Sequence, residues 1–126
     1  MQSQIDPLRV ADAFSDACAS RTVVQHLTGR WGALTMAALS EGPMRFSDLR
    51  RRVGGISDRM LARTLADLER DGMVTRTVHS AIPPHVEYEA SPLGLDVSVH
   101  LGALIHMVES RLPEVLEAQS HFDADQ

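Results

Sequence analysis

Arginines at helical spacing are the residues of this sequence best suited to bind an anionic partner. Arg59, Arg63 and Arg70 share one face of a predicted helix, with Ala62 and Ala66 between them. A guanidinium group binds phosphate oxygens and guanine edges through paired hydrogen bonds, and alanine spacers permit close approach. This face predicts a helix that enters the major groove of double-stranded DNA. The residues expected to read the DNA are Ser57, Asp58, Arg59, Ala62 and Arg63.

The same face also has an explanation that needs no partner. Arg59 and Arg63 are like charges one turn apart, which costs an isolated helix roughly 0.2–0.5 kcal/mol. Asp67 can relieve that repulsion by pairing with Arg63 or Arg70. A solvated charged face is therefore the alternative to a DNA-reading face. The elements on either side of this helix help to decide between these two interpretations.

The helix that carries these arginines has both ends marked in the sequence. Ser57 is a favoured N-cap, Asp58 suits the positive end of the helix dipole, and Gly72 suits the left-handed residue after the last turn. Apolar residues recur between these ends at helical spacing and predict a stripe that faces the core. The stripe consists of Met60, Leu61, Thr64, Leu65 and Leu68.

A short helix and a hairpin are predicted on either side of this helix. Residues 47–53 form the short helix, whose three consecutive arginines suit a phosphate backbone. Residues 73–79 and 86–90 read as strands around a loop that contains Pro83 and Pro84, and Met44–Arg45 reads as a very short strand beside them. Helix, turn, helix and hairpin are the outline of a winged helix-turn-helix. The residues expected to contact the DNA backbone, some from the wing, are Arg45, Ser47, Arg50, Arg51, Arg76, His79 and His85.

Several spaced motifs in this region resemble the HxlR family of bacterial winged-helix transcriptional regulators. The resemblance runs from about Cys18 to Gly94. It implies a mainly α-helical fold with a small β-hairpin, pairing of two chains through terminal helices, and repression of transcription. The motifs are GPMRFSDLR at 42–50, GISDRML at 55–61, LADLERDG at 65–72, PPHVEY at 83–88 and SPLG at 91–94.

Net charge is unevenly divided along the chain. The 126 residues carry a formal charge of −5, yet residues 45–76 hold eight arginines against five acidic residues, a net +3 that leaves −8 for the remainder. A local positive field of this kind is what a DNA footprint requires. We expect a single domain with a DNA-binding core at about 21–92.

Terminal helices at about 8–19 and 92–119 are predicted to hold two copies of the chain together. Coiled-coil-like spacing relates Val97, Leu101, Leu104, Val108 and Leu112. Pro113 should kink or restart the helix, whose end should fray from His121. The alternative is that this seam belongs to the intrachain core. The residues expected to make the homodimer are Val10, Phe14, Val97, Leu101, Leu104, Ile105 and Val108.

Cys18 is the only cysteine, so an internal disulfide is excluded. Trp31 follows it by thirteen residues, a spacing that resembles family members whose cysteine senses oxidants or electrophiles. Against that, Cys18 is predicted late in its helix, where the dipole opposes a thiolate, and Arg21 is the only basic residue close in sequence. An inert cysteine and an oxidant sensor both remain open, as does a small-molecule effector bound without a covalent bond.

Other function classes find little support in the sequence. The six histidines include no pair at i, i+4, so we expect no metal and no other cofactor. Nucleotide-binding loops, nucleophile elbows and metalloprotease motifs are absent from the sequence, which argues against an enzyme. Met1 to Pro7 lacks a cationic start, and no apolar run is long enough for a membrane span, so a cytoplasmic protein is expected. A winged-helix module that binds an acidic protein is the alternative to a DNA reader.

Overall fold

The computed structural model describes residues 12–126, which form six helices and three strands. A mainly helical chain with a small antiparallel sheet and a winged helix-turn-helix at its centre was predicted, and the structure confirms it. In chain order the elements are α1 (Ala19–Thr28), α2 (Gly32–Leu39), β1 (Met44–Arg45), α3 (Phe46–Arg52), α4 (Asp58–Arg70), β2 (Val74–His79), β3 (His85–Ala90), α5 (Pro92–Ser110) and α6 (Leu112–Ala124).

The core is built around α2 and the apolar stripe of α4. Met36 and Leu39 of α2 are almost completely buried, which agrees with the nearly all-apolar sequence of that helix. The stripe of α4 faces them as predicted, except that Met60 is 42% exposed and lies at its edge. The residues of α3 and α4 that enter the core are Leu49, Leu61, Thr64, Leu65 and Leu68.

The hairpin of β2 and β3, here called the wing, is joined by β1 into a three-stranded antiparallel sheet of order β1-β3-β2. Met44–Arg45 pairs beside β3 as the sequence predicted, with Arg45 opposite Glu87. At the far end of the hairpin, His79 lies opposite His85. Residues directly opposite each other in an antiparallel pair share a sheet face, so this register decides which polar side chains can meet.

Local signals set the ends of α4, which the sequence placed correctly. The side chain of Ser57 accepts a hydrogen bond of 3.1 Å from the backbone N–H of Met60. Gly72 has a φ of +78°, a left-handed conformation that a side chain would disfavour. These caps orient the helix relative to the wing that follows it.

Ser91 and Gly94 connect the wing to α5. The Ser91 hydroxyl accepts a 3.0 Å hydrogen bond from the N–H of Gly94 and donates a 2.6 Å hydrogen bond to the carbonyl of Gly72. A Cβ at Gly94 would lie 2.0 Å from the carbonyl oxygen of Met73, so only glycine permits this approach. The first turn of α5 is therefore packed directly on the start of the wing.

Two terminal predictions need correction. Residues 12–18 form turns, so the predicted helix at 8–19 is not helical over these residues, while Val10 lies outside the described residues. At the other end, Pro113 does begin a new helix, but α6 continues to Ala124, beyond His121 where fraying was expected. Between residues 12 and 126, no helix is both long and apolar enough to cross a membrane.

Candidate nucleic-acid interface

The outward side of α4 carries a set of exposed residues that we call the arginine face: Arg59, Ala62, Arg63, Ala66 and Arg70. The buried stripe on the opposite side of the helix holds this face toward solvent. Ser57 and Asp58 lie at the N-terminal end of the same helix and are also exposed. The structure therefore brings all the predicted DNA-reading residues to one accessible end and side of α4.

The two arginines at the centre of this face have different surroundings. Arg63 Nε lies 3.7 Å from Asp67 Oδ2, so the pairing that the sequence left as an alternative is present, although long. Asp67 is shared, because the same oxygen lies 3.8 Å from His26 Nε2. Arg59 makes no ion pair with any residue that the structure describes. Its guanidinium group is therefore the more available of the two.

The three consecutive arginines of α3 all contact carboxylates. Arg50 Nε lies 3.3 Å from Asp58 Oδ1 at the start of α4, and Arg51 pairs with Asp48 in its own helix. Both pairs are exposed, and exposed ion pairs contribute only about 0–1 kcal/mol. A phosphate group can therefore replace either carboxylate at little cost.

Arg52 differs from its two neighbours because it forms a bidentate pair. Its Nε and Nη2 donate hydrogen bonds of 3.0 and 2.7 Å to the two carboxylate oxygens of Glu41. These hydrogen bonds lower the pKa of Glu41 and raise the pKa of Arg52. Arg52 therefore ties α3 to the turn after α2.

The wing presents a mixed rather than a cationic edge. Arg45 and Arg76 are exposed and form no ion pair within residues 12–126. His79 and His85 stack with ring centroids 4.7 Å apart, and His79 Nε2 lies 3.2 Å from Glu87 Oε1. The sequence predicted a cationic contribution from both histidines, but Glu87 offsets it.

The fold buries some residues of the predicted dimer seam within the chain and leaves others exposed. Leu101 is only 7% exposed and belongs to the intrachain core, against which the half-buried Val97 also packs. For these two residues the intrachain alternative is correct. Leu104 is 52% exposed, Val108 is also exposed, and Ile105 is half-buried. Outside the helices, Phe14 is almost fully exposed.

This region leaves more apolar side chains exposed than the sequence indicated. No residue of α6 is buried within the chain. Sequence reasoning missed Met107, Val115 and Leu116, although their helical spacing from Leu104 and Leu112 was a usable signal. Met107, Val108 and Val115 line one pocket at the junction of α5 and α6. The exposed apolar residues of this region, together called the α5–α6 apolar surface, are Leu104, Met107, Val108, Leu112, Val115 and Leu116.

Cys18 occupies a different place from the predicted one. It is the N-cap residue of α1 rather than a late residue of a preceding helix, so the helix dipole now favours a thiolate. The backbone N–H of Asp12 donates a 3.2 Å hydrogen bond to Sγ, and the Ser20 hydroxyl lies 3.2 Å away. These two contacts, the first most strongly, lower the pKa of the half-buried thiol. Arg21 instead donates to the carbonyl of Phe14.

A cleft of about 490 Å³ opens between α1, α2 and the arginine face. Its floor includes His26, whose Nδ1 lies 2.6 Å from Asp71 Oδ2 at the end of α4. Arg30 stacks over the ring of Trp31 at the rim, 4.8 Å from the ring centroid. Arg63 and Asp67 line the other side. A molecule bound in this cleft would touch the helix that carries the arginine face.

A recognition helix presented beside the β2–β3 wing is the arrangement of a winged helix-turn-helix, a class that includes DNA-binding transcriptional regulators. The comparison with known families makes the class specific. The chain belongs to the HxlR-like helix-turn-helix family, whose model matches residues 26–115.

Relatives support the same assignment. The HTH-type transcriptional regulator YtfH of Escherichia coli K12 is 50% identical over 109 residues, which cover 86% of each chain. The solved structure of the transcriptional regulator ytfH from Salmonella typhimurium is 46% identical with a TM-score of 0.82, and covers 87% of this chain and 98% of that one. The redox regulator HypR in its reduced form is 30% identical with a TM-score of 0.69, and covers 79% of this chain and 97% of its own.

Proposed function

We propose that this protein is a homodimeric repressor that binds an inverted-repeat operator and responds to oxidants or electrophiles through Cys18. The core at about 21–92 reads the DNA, and α5 and α6 pair the two copies. The arginine face of α4, held outward by the buried residues on the opposite side of the helix, is the observation that carries the proposal.

DNA reading is assigned to the first turns of α4. The N-terminal residues of a recognition helix are the ones that reach base edges, and Arg59 and Arg63 lie there with the small Ala62 between them. Arg50, Arg51 and Ser47 of α3 are placed to grip the backbone beside them, while Arg45 and Arg76 serve the same purpose from the sheet. His79 and His85 contact the backbone from the tip of the wing.

Dimerisation rests on the α5–α6 apolar surface. A helix with no buried residue keeps its fold poorly in isolation, because most helical stability in proteins comes from packing. A second copy supplies the same apolar surface and covers it by two-fold symmetry. The two recognition helices then meet major grooves one helical turn or a multiple apart, which gives half-site centres about 10 or 20 bp apart.

The sensing step is supported by the position of Cys18. A lowered pKa raises the thiolate fraction at neutral pH, and the thiolate is the reactive form. A peroxide accepts the sulfur electron pair as its O–O bond breaks, which gives a sulfenic acid and hydroxide. A second thiol then displaces the sulfenic oxygen as water. Because the chain has one cysteine, that thiol belongs to the partner chain or to a small molecule.

The similarity to HypR, a redox regulator with structures in a reduced and an oxidised form, supports the same reading of Cys18. Modification at the start of α1 has a direct route to the DNA-binding helix. His26 of the same helix contacts Asp71, the C-cap residue of α4, so a displaced α1 moves the end of the recognition helix.

The deciding experiment is operator binding before and after peroxide, hypochlorite or a quinone. DNA upstream of the chain's own gene is the first fragment to test, with footprinting to define the half-sites. We expect a dyad-symmetric footprint, salt-sensitive affinity, and loss of affinity on oxidation that Cys18→Ser abolishes. Equal loss in both proteins, or none in either, would reject Cys18 as the switch. Binding to an unrelated acidic protein but not to DNA would instead favour a protein-interaction module.

A non-covalent effector is the second candidate, favoured by the cleft beside the arginine face. Its mixed lining of Trp31, Met60, His26 and Arg63 suits a small aromatic anion. Such a ligand would compete with the DNA for Arg63. Trp31 fluorescence reports on occupancy, and an unchanged Cys18→Ser response to the inducer would favour this route.

A further inference from the structure

At the tip of the wing, strand pairing brings together three side chains of the types that can bind a metal ion. His79 ends β2 and lies directly opposite His85, which begins β3, while Glu87 follows two residues later on the same sheet face. One ligand atom from each of the three lies within 4.8 Å of the others. The expected absence of a metal site rested on a search for helical i, i+4 pairs, which cannot detect neighbours across a hairpin.

The donor set fits a particular group of ions. Two imidazole nitrogens and one carboxylate oxygen suit Zn²⁺ and the neighbouring divalent transition metals, whereas Mg²⁺ and Ca²⁺ prefer all-oxygen ligands. Metal–nitrogen bonds of about 2.0–2.1 Å in a tetrahedral site put donor atoms about 3.4 Å apart. His79 Nε2 and Glu87 Oε1, 3.2 Å apart, already have about this spacing. The widest donor separation, at most 4.8 Å, must close by up to about 1.4 Å, which rotation of the half-buried side chains supplies.

We propose that the tip of the wing binds one divalent transition-metal ion of the Zn²⁺ type through His79, His85 and Glu87, with water at the remaining position. The ion takes the place of the present contact between His79 Nε2 and Glu87 Oε1. It also joins the end of β2 to the start of β3 across the proline-containing loop. The stacked imidazoles rotate so that one nitrogen of each ring points to the ion.

The bound ion changes the charge of the wing at the point expected to meet DNA. Glu87 and Glu89 lie on the sheet face that also carries Arg45, which sits opposite Glu87 on β1. The formal charges of Glu87, Glu89 and Arg45 sum to −1, so a divalent cation converts this face to a net charge of +1. This coupling rests on the proposed contact between the wing and DNA. Because binding linkage is reciprocal, the bound ion raises the affinity of the protein for DNA, and bound DNA raises its affinity for the ion.

Metal binding is tested on the full chain without a histidine tag and without DNA. Co²⁺ is titrated while its visible absorption is recorded, and Zn²⁺ is measured by competition with a chromophoric chelator. We expect one ion per chain. Loss of an outer-sphere partner costs about 10–100-fold in metal affinity, so His79→Ala or His85→Ala should cost at least about tenfold. His100→Ala, an exposed histidine of α5, is the matched control and should bind as the native chain does.

The Glu87→Gln variant shows whether a loss of metal binding is caused by misfolding, because the substitution keeps the size of the side chain while removing its charge. It should weaken Zn²⁺ binding with an unchanged circular dichroism spectrum. No binding to the native chain would overturn the proposed site. Equal affinity in the native, His79→Ala and His85→Ala proteins would overturn it as well.

The coupling to DNA is tested by measuring operator affinity in the presence of Zn²⁺ and in the presence of a metal chelator. A coupling of the usual size raises the affinity of the native chain about fivefold or more, with no change for His79→Ala. Metal binding without any effect on DNA affinity would overturn the coupling but leave the ion site. Intact operator binding without metal binding would overturn this inference and leave the proposed function standing.

Discussion

Arg59 and Arg63 lie one turn apart on the same exposed face, yet their replacement should have unequal effects on operator binding. Arg59→Ala removes a guanidinium group with no ion pair in the described part of the chain. A base-reading arginine contributes about 1–3 kcal/mol, or roughly 5- to 150-fold in affinity. The preference at one base pair in each half-site should relax at the same time.

Arg63→Ala should cost less, because Arg63 must leave Asp67 before it can contact the DNA. The 3.7 Å separation and the exposure of Arg63 place this pair among those that contribute about 0–1 kcal/mol. The expected loss is smaller than that for Arg59 by up to this amount. Asp67→Asn, which releases Arg63 and removes a negative charge, should therefore strengthen operator binding.

The assay is fluorescence anisotropy with an operator duplex and with single base-pair variants, over a series of salt concentrations. Arg111→Ala removes the same charge from the junction of α5 and α6 and serves as the control, once light scattering shows that the variant has the native mass. Unchanged affinity in the Arg59, Arg63 double alanine variant would refute the assignment of α4 as the recognition helix. A larger loss for Arg63→Ala than for Arg59→Ala would refute the role given to Asp67.

Four further outcomes follow from the structure. Arg76→Ala should weaken binding to all DNA sequences alike and reduce the slope of log affinity against log salt by about one, as a specificity profile and a salt series would show. Leu104→Glu should yield monomers in light scattering with the fold intact, whereas Leu101→Ala should lower the free energy of unfolding by about 2–5 kcal/mol in urea titrations because its side chain is buried. Alkylation of Cys18 by iodoacetamide should have its pH midpoint below that of a free cysteine, about 8.5, since hydrogen bonds lower its pKa and favour the thiolate; Ser20→Ala should move the midpoint up. Gly94→Ala should destabilise the chain in the same urea titration, because its Cβ would meet the carbonyl oxygen of Met73.

The sequence determined the elements whose ends and faces are encoded locally. Ser57 and Gly72 bound α4 because capping depends on residues within one turn of the end of the helix. The apolar stripe and the arginines followed from the helical period alone. Pro113 restarted the last helix for an equally local reason, the missing backbone N–H of proline.

Tertiary structure decided what covers each apolar face and which polar groups meet. Periodicity marked Leu101 and Leu104 as one seam, but only packing against α2 separated the buried residue from the exposed one. Because residues 12–18 form turns and α1 begins at Ala19, Cys18 is an N-cap residue, where the helix dipole favours a thiolate instead of opposing it. His79, His85 and Glu87 came together through strand register, which the intervening loop sets and no helical spacing reveals. In each case the deciding contact joins residues that the sequence pattern treats independently, so it exists only once the chain has folded.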